Sequence, residues 1–158
     1  YTLKALGIPA VGWLVDTKIA LLSVAIVAAW KGIGYNMTIY TAGLQGIPRS
    51  LYEAATIDGA TGVQAFFKIT LPLLAPTTYF ITMMSMIGAL QVFDSVYVLT
   101  NGGPANATKT VVMYLYENGF KYLKMGYASA MAYVLFIMIF ALSILQSKFS
   151  AAVNDFEY

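Results

Sequence analysis

The sequence predicts an all-α polytopic membrane protein, and three observations carry that prediction. Of its 158 residues, 59% are hydrophobic and only 10% are charged, far from the roughly 25% charged residues of an average soluble domain. Its mean hydropathy is +0.72, and a single soluble core of this chain length cannot enclose so much apolar surface. Apolar runs over about 19–44, 73–92 and 127–145 each reach the roughly 20 residues that a helix needs to cross a bilayer core. None of them alternates with the period of two that a barrel strand requires.

The same composition excludes several classes of function. The absence of Cys and His removes disulfides, zinc sites, thiol nucleophiles and imidazole bases together. A net charge of +2 without a run of Lys and Arg supplies no phosphate-binding patch, which argues against nucleic acid. The sequence also lacks the Walker A pattern G-x-x-x-x-G-K-[ST], so this stretch cannot cradle ATP in that way. It opens at Tyr1 with no Met and no signal-like region, which reads as a fragment of a longer chain.

Taken in order, an opening stretch (1–18) leads into the first span, which begins ALLSVAIVAAW and carries Lys31 as its only charge. A charge at mid-membrane costs about 2.5–3.5 kcal/mol on insertion scales, so Lys31 points to a polar pathway. Tyr35 and Thr38 follow it on the same helical face, and Gly32 and Gly34 thin the helix beside them. Two blander roles fit the same residues. Lys31 can snorkel or pair with a carboxylate elsewhere, and the glycines can pack helices.

Residues 48–72 then interrupt the hydrophobic sequence with PRSLYEAATIDGATGVQAFFKITLP. Ser50 and Glu53 have the S-x-x-E spacing of a capping box, opening a short helix. That helix is expected to end at Asp58-Gly59, where glycine permits a left-handed C-terminal conformation. Thr61 and Gln64 repeat the spacing as T-x-x-Q and open a second helix through FFKIT into Leu71-Pro72. The expectation is a helix–turn–helix finger that leaves the membrane and returns. Its first helix offers Ala54 and Ala55, flanked by Leu51, Tyr52 and Ile57, a small-residue surface that another protein can approach closely. The plainer alternative is a surface helix lying on its own domain.

In the second span Pro72 and Pro76 fall in the first turns, where missing N–H groups cost little. Met84, Gly88 and Gln91 make a second mixed face, with Ser85 beside it and Asp94 near its outer end. Such mixtures suit a polar solute, whose hydroxyl groups can meet amides and carboxylates. The long outer connection over about 94–126 contains Asn101-Gly102-Gly103-Pro104, a tight-turn signal. Asn106-Ala107-Thr108 fits the N-glycosylation pattern by chance. Tyr114, Tyr116, Phe120 and Tyr122 read as an interfacial belt, although their spacing also fits one more amphipathic helix. The third span ends in a polar tail after Gln146.

Glu53-Ala54-Ala55, Gly59, Ile69 and Leu71-Pro72 stand at the fixed spacings of the EAA motif of ATP-binding-cassette importer permeases. Asp58 and the run KITLP strengthen the match. GLQGIPRSLYEAATIDGA, LTNGGPANATKT and GYASAMAYVLF look like the carbohydrate-uptake branch, of the maltose and glycerol-3-phosphate type. The chain therefore resembles the permease subunit of a bacterial sugar importer over nearly its whole length.

The resemblance, rather than the spacing, implies an arrangement of subunits and roles. The chain is the C-terminal half of a multi-pass plasma-membrane permease with a core of about six helices, paired with a second permease subunit. Glu53, Ala54, Ala55, Asp58 and Gly59 form a cytoplasmic coupling helix docked in a cleft of an ABC ATPase subunit, while Ile69, Leu71 and Pro72 anchor the return. An extracytoplasmic binding protein delivers a carbohydrate to a path lined by Lys31, Gly32, Tyr35, Ser85, Gly88, Gln91 and Asp94. No cofactor binds this chain; ATP and Mg belong to the partner ATPase. Charge alone points the other way. Arg49, Lys68 and Lys148 share the finger's side, whereas Lys4, Lys18, Lys109, Lys121 and Lys124 occupy the opposite one, and positive charge favours the cytoplasm.

Two rival classes remain in view. An ion-gradient-driven secondary transporter explains three spans and a buried Lys but not the EAA spacing. A membrane enzyme needs converging acid and base groups, and Glu53 and Asp58 lie about 140° apart around a helix.

Overall fold

The protein's structure, a computed structural model, describes residues 11–154, with side chains up to Lys148. Lys4 and the far end of the polar tail lie outside the described residues. Every regular element among the described residues is helical. In chain order these are α1 (Ala20–Gln45), α2 (Arg49–Ile57), α3 (Gly62–Leu73), α4 (Ala75–Leu90), α5 (Asp94–Leu99), α6 (Val111–Tyr116) and α7 (Met125–Asn154). Within α3 the stretch Phe66–Thr70 is wound as a π-turn, and a second π-turn, Glu117–Lys121, continues α6.

Helices α1 and α7 are long and apolar enough to cross a membrane. Their large side chains are mostly uncovered, with Trp30 79% exposed and Tyr133 71% exposed. In water such a surface would be untenable, whereas lipid or neighbouring membrane helices cover it without penalty. Helices α3 and α4 together make a third candidate span, bent by 60° at the break between them. Pro76 explains the break. It has no N–H to offer the Pro72 carbonyl, and its ring crowds that oxygen, so the α3 ladder stops and restarts at a new angle.

The chain forms two compact units. One combines residues up to Trp30 with Leu90–Phe136 and is centred on Val24, Val96 and Met113, packed by Phe93 and Leu99. The other comprises Lys31–Ala89 and residues from Ile137 onward. Here α1 and α4 approach at Gly43, where an added Cβ would lie 2.7 Å from Thr77 Oγ1 and 3.1 Å from Leu74 Cδ2. The Tyr40 hydroxyl donates to Thr78 Oγ1 at 3.3 Å one turn away. Gly43 therefore packs helices against each other in this unit. At Gly32, Gly34 and Gly88 an added Cβ would meet nothing within 4 Å.

Candidate functional site

The finger between α1 and α4 is built largely by local rules. Helix α2 ends in a Schellman motif: Gly59 N–H donates to Thr56 O at 3.1 Å and Ala60 N–H to Ala55 O at 2.9 Å. Those bonds require the left-handed residue that Gly59 supplies at φ 74°. The second capping box is formed. Thr61 N–H donates to Gln64 Oε1 at 2.8 Å, and Gln64 N–H donates to Thr61 Oγ1 at 3.4 Å.

The first capping box is not formed, which corrects the expectation for Ser50 and Glu53. Helix α2 begins two residues earlier, at Arg49, with Pro48 in the N-cap position and no side-chain cap. Ser50 is thus already inside the helix. Glu53 instead meets Arg49 Nε at 3.3 Å as an i,i+4 ion pair, both side chains being largely exposed. An exposed pair of this kind contributes only about 0.3–0.5 kcal/mol.

No residue of α2 is buried. Ala54, Asp58 and Ile57 lie on its open face, Ile57 being 87% exposed. Ala55 is half-buried and faces inward. The two alanines therefore differ: Ala54 is open, whereas Ala55 is partly covered. Tyr52 is turned inward too, its hydroxyl lying 2.7 Å from Thr70 Oγ1 in the α3 π-turn. It joins the two arms of the finger rather than its outer surface. Thr70 is buried, Ile69 and Pro72 are half-buried, and Leu71 is exposed.

The proposed path residues fall in two groups. Lys31, Gly32 and Tyr35 lie together on α1, with Lys31 and Tyr35 exposed. Thr38 on the same face spends its hydroxyl on Gly34 O at 3.1 Å, a back-bond common for membrane threonines. Ser85 and Gly88 are exposed on α4. Because α4 stops at Leu90, Gln91 does not continue that face. It lies in the turn after the helix, and Asp94 opens α5.

The outer connection holds more structure than a belt of aromatics. Its rings pack on one another: Phe93 stacks on Tyr97 at 5.2 Å, while Phe93 meets Tyr116 at 5.1 Å and Tyr116 meets Phe120 at 5.4 Å in tilted pairs. A hydrogen bond with Tyr97 holds the Tyr116 phenol above its ordinary value. The Thr110 hydroxyl donates to Val92 O at 2.8 Å and, by accepting from Met113 N–H at 3.4 Å, caps α6. Thr108 is fully buried and its hydroxyl donates to Gly103 O at 2.7 Å. The N-x-T pattern thus has a packing explanation.

Sequence reasoning missed Glu117. This carboxylate is 7% exposed and meets Lys109 Nζ at 2.7 Å and Lys121 Nζ at 3.3 Å. The hydrogen bond from Lys109, followed by that from Lys121, holds its pKa below the usual carboxylate value against the opposing effect of burial. The Lys121 partner, four residues on, was legible from helical spacing; the Lys109 partner was not.

Residues 3–155 match the model of a family described as the binding-protein-dependent transport system inner membrane component. The chain belongs to that family. Among curated relatives, this permease is 46% identical to the putative ABC transporter permease protein ORF1 of Caldicellulosiruptor sp. (strain Rt8B.4), over 78% of this chain and 89% of that protein. It is 44% identical to the lactose transport system permease protein LacF of Rhizobium radiobacter, over 92% of this chain and 50% of that protein. The chain spans about half the length of most curated relatives it matches. A bacterial ABC transporter involved in the import of the acidic polysaccharide alginate shares its fold, with a TM-score of 0.83 and 23% identity. That match covers 96% of this permease and 54% of the other chain.

Proposed function

We propose that this permease is one membrane-spanning half of an ATP-driven sugar importer in the bacterial inner membrane, coupled to its ATPase through the finger. The observation that carries the proposal is the finger itself. Helix α2 is short, closed by a Schellman motif, latched inward by Tyr52, and leaves Ala54 and Ile57 open to a partner. Such a rigid helix transmits displacement where a loose loop would absorb it. The finger then faces the cytoplasm, because an ATP-hydrolysing subunit is reached only there. When ATP draws two ATPase subunits together, the docked helices follow and the spans tilt from inward-facing to outward-facing. ATP and Mg sit on those subunits, and the permease performs no covalent chemistry.

The solute path in this reading is lined by Lys31, Gly32 and Tyr35 on α1 and by Ser85, Gly88, Gln91 and Asp94 on and after α4. Open space at Gly32 and Gly88 supports it, since those backbones have room beside them for a solute ring. A second permease subunit completes the cavity, and an extracytoplasmic binding protein supplies a carbohydrate. The carbohydrate assignment is supported by relatives named for lactose and arabinooligosaccharides.

The test uses the full-length permease purified from membranes with Ala54→Cys as a crosslinking site. The expected product is a crosslink to an ATP-hydrolysing subunit whose activity rises with a sugar-loaded binding protein. Solute movement driven by an ion gradient, with no ATPase attached, would overturn the proposal in favour of a secondary transporter.

A further inference from the structure

Displacement of α2 can reach α4 by two routes. One follows the chain round the finger, eighteen residues from Tyr52 to Thr70, through a turn held by Gly59. The other goes straight across the 2.7 Å hydrogen bond between the Tyr52 and Thr70 hydroxyls. Thr70 is 7% exposed and closes the π-turn Phe66–Thr70, four residues before the break at Leu74 that separates α3 from α4. A π-turn holds one more residue than an α-turn, so it rotates the rest of the helix by roughly 100° relative to an uninterrupted α-helix. In this structure the last residue of the π-turn, Thr70, is the one whose hydroxyl meets Tyr52. π-Turns within helices concentrate at functional sites.

We infer that Tyr52 and Thr70 form a strut that makes the finger and α4 move as one body, so that force on α2 is delivered to the membrane span across their hydrogen bond. Both are positioning residues, since neither lies on the open face of α2 or in the solute path. The inference rests on the coupling function proposed above. It adds a specific element to that function: without the strut, α2 swings on its own turn and the span lags behind it.

The experiment uses the complete transporter in lipid, spin-labelled at Thr56→Cys, which lies off the open face of α2, and Phe80→Cys on α4, both exposed positions. This stretch has no cysteine of its own to interfere. The distance between the labels is measured by pulsed electron resonance, with and without MgATP and vanadate. In the native background the distance should not change on trapping. In Thr70→Val, which keeps side-chain shape but removes the hydroxyl, it should shift or broaden by about 2 Å or more, the scale of helix displacements in switching transitions. Thr70→Ser keeps the hydroxyl and should restore native behaviour, which a general loss of packing would not do. If Thr70→Val does not assemble, Tyr52→Phe removes the same bond from the other side.

Native-like distances in Thr70→Val or Tyr52→Phe, before and after trapping, would overturn the strut while leaving coupling intact. A native transporter in which Ala54→Cys crosslinks to no ATPase would remove the coupling function, and the strut with it.

Discussion

The finger and the outer connection are alike in plan and opposite in construction. Each interrupts the apolar sequence, each contains a short helix, and each includes a five-residue π-turn. The outer connection builds a core of its own: Val96, Thr108, Met113, Glu117 and Asn118 are all buried. In the finger α2 buries nothing, and the buried residue of the returning arm is Thr70. An element that satisfies its own apolar and polar groups is a finished piece of structure. The finger keeps its shape through local bonds while leaving Ile57 and Ala54 uncovered, as the proposed docking requires.

The largest expected effect falls on the finished side. Glu117→Ala leaves the amines of Lys109 and Lys121 without their shared carboxylate and should cost roughly 2–3 kcal/mol, read as a lower thermal midpoint of the purified permease. The same pair sets a pH dependence. Because the folded carboxylate titrates below its unfolded value, its contribution is present above the unfolded pKa and is lost as pH falls through the folded one. Protection of the amides over residues 111–121, taken relative to the exchange rate of the unfolded chain at the same pH, should therefore be flat through neutral pH and fall only in acid. Loss of protection between neutral pH and pH 6 would contradict the ion-paired carboxylate.

On the finger side Gly59→Ala has open space for its methyl group but must hold φ at 74°. It should cost about 1–2 kcal/mol, confined to local exchange protection at the end of α2. Thr61→Ala removes one capping acceptor and should cost about 1 kcal/mol, seen as faster exchange at Gln64. The smallest stability change belongs to Glu53→Ala, a few tenths of a kcal/mol for an exposed pair. If the finger couples to an ATPase, this nearly silent change should nonetheless depress ATP-driven transport. Equal losses of stability and transport across all these variants would erase the distinction between the two regions.

How legible each region was depends on how its contacts are spaced. Gly59 and the Thr61–Gln64 box depend on neighbours within a few residues, so pattern alone identified them. The S-x-x-E box at Ser50 was a wrong inference because the helix is capped at Pro48, two residues sooner, and Glu53 has a different partner in Arg49. The bond between Tyr52 and Thr70 left no clear mark in the sequence, since the two residues are eighteen apart. The same holds for Lys109 meeting Glu117, and for Thr108 meeting the Gly103 carbonyl. The path residues on α1 were readable as a helical face, whereas the end of α4 at Leu90 separated Gln91 from the face assigned to it.

The close approach at Gly43 has a consequence for leverage. Where two helices touch backbone to side chain, with Thr77 and Leu74 filling the space a Cβ would take, sliding is obstructed and rotation about the contact is the easier motion. Gly43 and Lys31 are twelve residues apart on one continuous helix, about 18 Å at 1.5 Å per residue. A swing of about 10° around that fulcrum carries Lys31 through about 3 Å, on the order of a hydrogen-bond length. A modest angular stroke at the Gln45 end of α1 is thereby enough to exchange one set of polar partners for another at Lys31.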